Sequence, residues 1–192
     1  MNGISLTKIT VSAISGKDYS KRDDAVTILA KLAVANPSVV METVGTALLD
    51  PDSSWHWRIG SNRDIFSAMP VDTVMAWLSN SGLEGARRLA RHLPSPSVSP
   101  EGEGTVPELT ERVLAAYGGD ETVLNEFRVG RHDMEATWGP PSANYEARAQ
   151  SARVFLNHPL EAIRQWAEHE MASSQHFADI FRRSEEDEGF GD

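Results

Sequence analysis

Cysteine is absent from the 192 residues, which removes disulfides and thiolate metal ligands from consideration and fits a reducing compartment. No apolar run approaches the roughly 20 residues that span a bilayer, and the N-terminus lacks the charged-then-apolar order of a signal peptide. A cytoplasmic protein with no membrane partner is expected. Positive charge is scarce: 18 Lys and Arg stand against 28 Asp and Glu, for a net charge of −10. An acidic body repels phosphate backbones, so nucleic acid is a disfavoured partner. Catalytic signatures are missing as well. There is no Gly-x-Ser-x-Gly elbow, and Gly102, Gly104, Gly118 and Gly119 are followed by no Lys-Ser or Lys-Thr of a phosphate-binding loop. The paired carboxylates Asp23-Asp24 and Glu101 with Glu103 adjoin polar stretches that offer no apolar pocket. His169 and His176 on one helix would stand roughly 10 Å apart along its axis, too far to share an ion directly. His169-Glu170 also lacks the second histidine of a zinc-protease motif. These absences predict a chain that is not an enzyme and carries no metal or cofactor.

What the chain does have is punctuation. Asn36-Pro37, Met69-Pro70 and His158-Pro159 each place a proline just after one amphipathic run and at the head of the next. Proline is tolerated in the first turn of a helix, where its missing N–H has no partner to lose, so each pair reads as a stop followed by a restart. Between these marks the helical period recurs. Ala25, Ile28, Leu29 and Leu32 form one stripe, and Val40, Val44, Ala47 and Leu48 a second, ending at Asp50-Pro51. After a connection over 53–62 and a short helix near 63–68, Val71, Val74, Met75 and Leu78 fit the i, i+3, i+4, i+7 template. Asn80-Ser81-Gly82 ends that helix, and the next, Leu83 to Leu93, turns Ala86, Leu89, Ala90 and Leu93 inward.

The stretch Pro94 to Gly104, with three prolines and two glycines, predicts a loop that buries almost nothing. Ser61 with Asp64 and Thr105 with Glu108 have capping-box spacing. Leu109, Val113, Leu114 and Tyr117 continue the pattern, and Asp120 caps a helix carrying Val123, Leu124 and Phe127. A second irregular connection spans 130–141. Ser142 then caps a helix with Tyr145, Ala149, Ala152, Phe155 and Leu156, and a last helix carries Leu160, Ile163, Trp166 and Ala167. Trp77 and Trp166, inside helical patterns, are expected in the core.

Each hairpin has an apolar stripe too narrow to form a core alone, so consecutive hairpins must cover one another. The predicted fold is all-α, an irregular helical-hairpin stack of about nine or ten helices. Its parts are an N-terminal arm or helix over 1–20, a helical-repeat domain over 21–183 and an acidic tail over 184–192 that is disordered or helical only in its first turns. That tail holds Glu185, Glu186, Asp187, Glu188 and Asp192 with no Lys or Arg.

Two segments carry a resemblance. Gly85-Ala86-Arg87-Arg88-Leu89-Ala90-Arg91-His92-Leu93-Pro94, leading to Val106-Pro107-Glu108-Leu109-Thr110-Glu111, and Phe155-Leu156-Asn157-His158-Pro159, followed by Ile163-Arg164-Gln165-Trp166-Ala167, resemble the helical C-terminal regions of large multidomain bacterial proteins. Some of those proteins are defence-type ATPases or effectors. The second segment is also similar to the HEAT pattern of a proline-opened helix with an Arg and an Ala on its inner side. The resemblance implies a HEAT-like α-solenoid and a chain that is the end of something longer, or a stand-alone relative of such an end.

Two groups of residues are candidates for binding a protein partner or another domain of a larger protein. The first is Trp55, Trp57 and Arg58 together with Arg131, His132 and Trp138, placed on the two irregular connections that one edge of a stack can bring together. Trp and Arg dominate interfaces because a large ring or planar guanidinium contributes much area and hydrogen bonding once desolvated. The second is the basic stripe Arg87, Arg88 and Arg91. The leading expectation is a noncatalytic interaction or regulatory module. The alternatives are a DNA-repair glycosylase built on HEAT-like repeats, which needs a basic concave face, and an acidic immunity or antitoxin-like protein, which needs its acids clustered on one face.

Overall fold

A computed structural model describes residues 20–52, 59–99, 104–132 and 139–187. Eight helices and one pair of two-residue strands make up the regular structure among these residues: α1 (Ser20–Ala35), α2 (Pro37–Leu49), α3 (Ile59–Ala68), α4 (Val71–Ala90), β1 (Ser97–Val98), β2 (Gly104–Thr105), α5 (Glu108–Tyr117), α6 (Glu121–His132), α7 (Pro141–Arg153) and α8 (Glu161–Asp187). The all-α expectation holds. Nine or ten helices are not shown among the described residues: α4 is counted once although it holds two helical arms, 71–81 and 83–90, that meet at a non-helical Gly82, and the expected arm or helix over 1–20 lies, but for Ser20, outside the described residues.

The chain divides into two compact units where the sequence led us to expect one continuous domain. The first takes residues up to Pro94 and then Glu108–Met134; the second takes Ser95–Pro107 and Glu135–Asp192. In the first unit α1 and α2 form a hairpin with a single residue, Asn36, between them. Pro37 occupies the first turn of α2, where the lack of an N–H is harmless. At the far end Asp50 turns to extended backbone ahead of Pro51, and its Oδ1 accepts the Asp52 N–H at 3.0 Å. Helix α1 packs on α3, α2 packs on α4, and α4 also carries α5 and α6.

The core of this unit follows the predicted stripes with local rotations. Val40, Val44 and Leu48 are buried as expected, joined by Met41 and Gly45. On α1 the buried line is Ala25, Val26, Leu29 and Ala33, and Ile28 stands 42 % exposed. The stripe is thus turned toward the 26/33 side of the expected one, since residues seven apart on a helix lie nearly above one another. Each fully buried Leu, Val or Phe side chain here contributes roughly 1.5–3 kcal/mol. Trp77 is half-buried instead of deep in the core. Its indole lies across Gly45, where a Cβ would stand 2.6 Å from Cε2, so α2 and α4 approach with only a glycine between ring and backbone.

Gly82 interrupts α4 with φ 61° and ψ −147°, backbone angles that essentially only glycine adopts. The first helical arm of α4 thus ends at Gly82 and a second begins after it, the break expected at Asn80-Ser81-Gly82. Gly82→Ala is expected to destabilise the chain by about 1–3 kcal/mol, although nothing stands within 4 Å of the added Cβ. Urea unfolding of the variant measures this, and an unchanged midpoint would show that α4 tolerates a straight path.

The Pro94–Gly104 stretch departs from its expected character. Pro94 and Pro96 are buried, the Thr110 hydroxyl donates to the Pro94 carbonyl at 2.7 Å, and Ser97 and Val98 pair antiparallel with Thr105 and Gly104. Thr105 therefore belongs to a strand and does not cap α5. Ser61 lies inside α3, so it does not cap that helix either.

The second unit is a helical hairpin of α7 and α8 with the strand pair beside it; β1 rests on α7, and Gly104 faces Val154 with no room for a side chain. Phe155 meets Trp166 edge-on at 5.4 Å and 61°, and Ala149, Ala152, Ile163, Ala167 and Ala178 are buried as well. Trp166 is buried as expected. Pro140 and Pro141 head α7, so Ser142 lies in its first turn and is not its cap. Residues 184–187, the start of the acidic tail, are the last turn of α8, where Glu185 accepts hydrogen bonds from Ser142 on α7. Residues 188–192 lie outside the described residues.

Candidate interaction surface

Arg87 and Arg88 of the basic stripe lie on the second arm of α4, beyond Gly82, and Arg91 is its C-cap. The stripe's three guanidinium-bearing side chains are half-buried, with 23–28 % of each exposed. Arg87 donates Nη2 to Glu84 at 2.7 Å and Nη1 to Glu126 at 3.3 Å. Arg88 donates Nε to Glu84 at 2.7 Å, and Arg91 donates to Glu126. Three cations thus share two carboxylates, one on the preceding turn of α4 and one on α6. The spacing of Glu84 ahead of Arg87 and Arg88 is the favourable i, i+3 and i, i+4 arrangement and was legible in the sequence. Glu126 was not, because only the packing of α4 on α6 brings it within reach.

The stripe is therefore a seam that ties α4 to α6, with much of its charge answered inside the first unit. Glu84 shows the electrostatic effect. The hydrogen bond from Arg87 is the main cause that holds its carboxyl at about 2, below the usual 4.5; partial desolvation opposes this, and the Arg88 hydrogen bond and both positive charges add to it. A carboxyl depressed on folding stabilises the folded state fully above its ordinary range and loses that contribution as pH falls toward the folded value. Stability is thus expected to decline between pH 4.5 and about 2 by an amount that Glu84→Gln removes. The effect is small because half of the Glu84 side chain faces water. Urea midpoints of both proteins across that range are the check, and parallel curves would contradict it.

The other candidate group is only partly within the described residues. Trp55, Trp57, Arg58 and Trp138 lie outside them, as does the side chain of His132, the last residue of α6. Arg131 is half-buried near the end of α6, with its guanidinium 5.8 Å from the Phe127 ring centroid, a cation–π distance. What the structure does show is how the helices that border these connections are fastened. Arg63, buried on α3, donates to the carbonyl of Gly130 on α6. Gly130 in turn lies so close to the end of α4 that a Cβ on it would fall 2.7 Å from the Arg91 Cα and 2.9 Å from the Arg91 carbonyl carbon. His92, buried beside Phe66 with ring centroids 6.1 Å apart, belongs to the same junction. One hydrogen bond thus links the middle of α3, the helix that follows residues 53–58, to the last turn of α6, the helix that precedes residues 133–138.

Gly130 and Arg131, expected on the connection over 130–141, are the last turn of α6 instead, and His92, which follows the basic stripe in sequence, is buried. A buried Arg such as Arg63 has no local signature, because its partner lies far along the chain.

Among the described residues no three His, Asp or Glu side chains are grouped so as to hold a metal ion, and no helix is long and apolar enough to cross a membrane. His169 and His176 are both exposed on α8. Compared with protein-family models, with curated proteins and with solved structures, the chain matches none.

Proposed function

We propose that this chain is a noncatalytic helical-repeat module that binds a protein partner, or another domain of a larger bacterial system of the defence type, in the cytoplasm. The observation that carries the reading is the order of packing in the first unit. Helix α1 lies on α3 and α2 on α4, first helix on first and second on second, which is how HEAT-like hairpins stack into a solenoid. Such a stack presents its connections along an edge. The residues proposed to engage the partner are Trp55, Trp57, Arg58, Arg131, His132 and Trp138. The fastening of α3 to α6 through Arg63 and Gly130 supports a shared position for the two connections. Arg87, Arg88 and Arg91 are proposed as a lesser contributor, because Glu84 and Glu126 already engage them.

The test is a paired capture from the native host, with the wild-type chain and with a Trp55→Ala, Trp57→Ala, Arg58→Ala variant whose helix content is unchanged. A protein that co-purifies in fixed ratio with the wild type and is lost with the variant is the expected result. Duplex DNA is the counter-probe. A low-salt mobility shift that disappears on substituting Arg87, Arg88 and Arg91 would replace this reading with the nucleic-acid one.

A further inference from the structure

Helix α7 begins without a cap of its own. Pro140 precedes it and makes no side-chain hydrogen bond to the first turn, and Pro141 has no N–H to offer. The first N–H needing a partner is that of Ser142. Glu185, near the end of α8, supplies it: one carboxylate oxygen accepts the Ser142 N–H at 2.9 Å and the other accepts the Ser142 hydroxyl. One turn back along α8, Arg182 donates to Glu146 on α7 and, at 2.9 Å, to Asp179 on its own helix. Beside these contacts the Tyr145 ring stacks on Phe177 at 5.3 Å and on Phe181 at 5.4 Å. Beyond Ala178 no described residue of α8 is buried. The last turns of this helix are thus held by charged hydrogen bonds and one ring stack, with no core beneath them, and such a segment sits at the low-stability end of a fold.

We infer that residues 179–187 of α8 are a strap latched by the charge of Glu185. The latch is closed when the carboxylate caps α7. It is favoured there by the partial positive charge of the helix N-terminus and by charge-assisted hydrogen bonds. It opens when that charge is removed, or when a second negative charge is set at Ser142, where it repels Glu185 and takes over the N–H. Glu186 cannot stand in: it lies about 100° further round the helix and is exposed. Opening draws Phe181 away from Tyr145, so the charge at one position decides whether an aromatic surface is covered. The local net charge of the strap has no such power, since Glu186 and Asp187 contribute equally to it.

Amide hydrogen exchange on the full-length chain tests the latch. Glu185→Gln is expected to speed exchange over 142–146 and 181–187 by about fivefold, the effect of losing one helix cap. Glu186→Gln makes the same change in net charge and is expected to leave both segments as they are. Ser142→Asp is expected to open the strap, and adding Glu185→Lys to it is expected to close the strap again, which loss of packing alone would not allow. Protection over 163–174 should persist in every variant. The inference is overturned if Glu185→Gln and Glu186→Gln behave alike, if the double variant stays as open as Ser142→Asp, or if 163–174 loses protection together with the strap.

Discussion

Replacing Gly130 with alanine is expected to destabilise the first unit by about 2–4 kcal/mol, more than its small change in volume suggests. The new Cβ would come within 3 Å of the Arg91 Cα and carbonyl carbon. These are backbone atoms that cannot rotate away, so α6 must shift from the end of α4. Overpacking of this kind costs about 1–3 kcal/mol. The shift also lengthens the hydrogen bond from the buried Arg63 to the Gly130 carbonyl, and a hydrogen bond with a charged partner is worth about 1.5–3 kcal/mol. Against this stands the gain of roughly 1 kcal/mol that alanine brings to a helix over glycine. Urea unfolding measures the balance. A variant as stable as the wild type would mean that α6 slides freely along α4 and that Arg63 fastens nothing. If the wild-type partner is in hand, the same variant should also weaken its capture, because the helices bordering both connections lose their common anchor.

Trp166→Ala is the corresponding experiment in the second unit, with an expected cost of about 3–5 kcal/mol. The unit has a meagre core. Its buried apolar residues among those described are Pro96, Ala149, Ala152, Phe155, Ile163, Trp166, Ala167 and Ala178, so alanines predominate and two aromatic rings and one isoleucine are its large buried side chains. Removing the indole leaves Phe155 without its edge-on neighbour, a contact worth about 0.5–1.5 kcal/mol beyond area. It also opens a cavity between helices that have few other large side chains to fill it. Loss of exchange protection across 141–187 is the expected readout, and Trp166→Phe is expected to restore most of it. Full protection in the alanine variant would show that the polar contacts of Ser142, Glu146, Arg182 and Glu185 carry the hairpin.

The sequence was most informative where a short-range rule decides the outcome. Pro37 opens α2 because a missing N–H harms only the interior of a helix. Asp120 heads α6 because its carboxylate can reach the Thr122 and Val123 N–H groups from the cap position. Ala86, Leu89, Ala90 and Leu93 are all buried, as their spacing requires. Where the outcome depended on partners far along the chain, the sequence was silent. Nothing near Arg91 announces Glu126, and nothing near Ser142 announces Glu185. Composition misled at Pro94 and Pro96, since prolines that end helices can still be covered by the elements around them. At Gly82 the short-range rule held, since its non-helical backbone ends one arm of α4 before the next begins. The stripe Arg87, Arg88 and Arg91 was legible as charge but not as pairing, and so its engagement by two glutamates could be learned only from the fold.

The excursion Ser95–Pro107 leaves the first unit between α4 and α5 to join the second, and the chain then returns for α5 and α6 before leaving again. Neither unit is therefore a continuous length of polypeptide. No single peptide bond can be cut to free one of them whole. A truncation after residue 134 would strand Pro96 and both short strands without α7 beside them, so fragments meant to isolate a binding half should be made by circular permutation or by excising 95–107 with a short bridge.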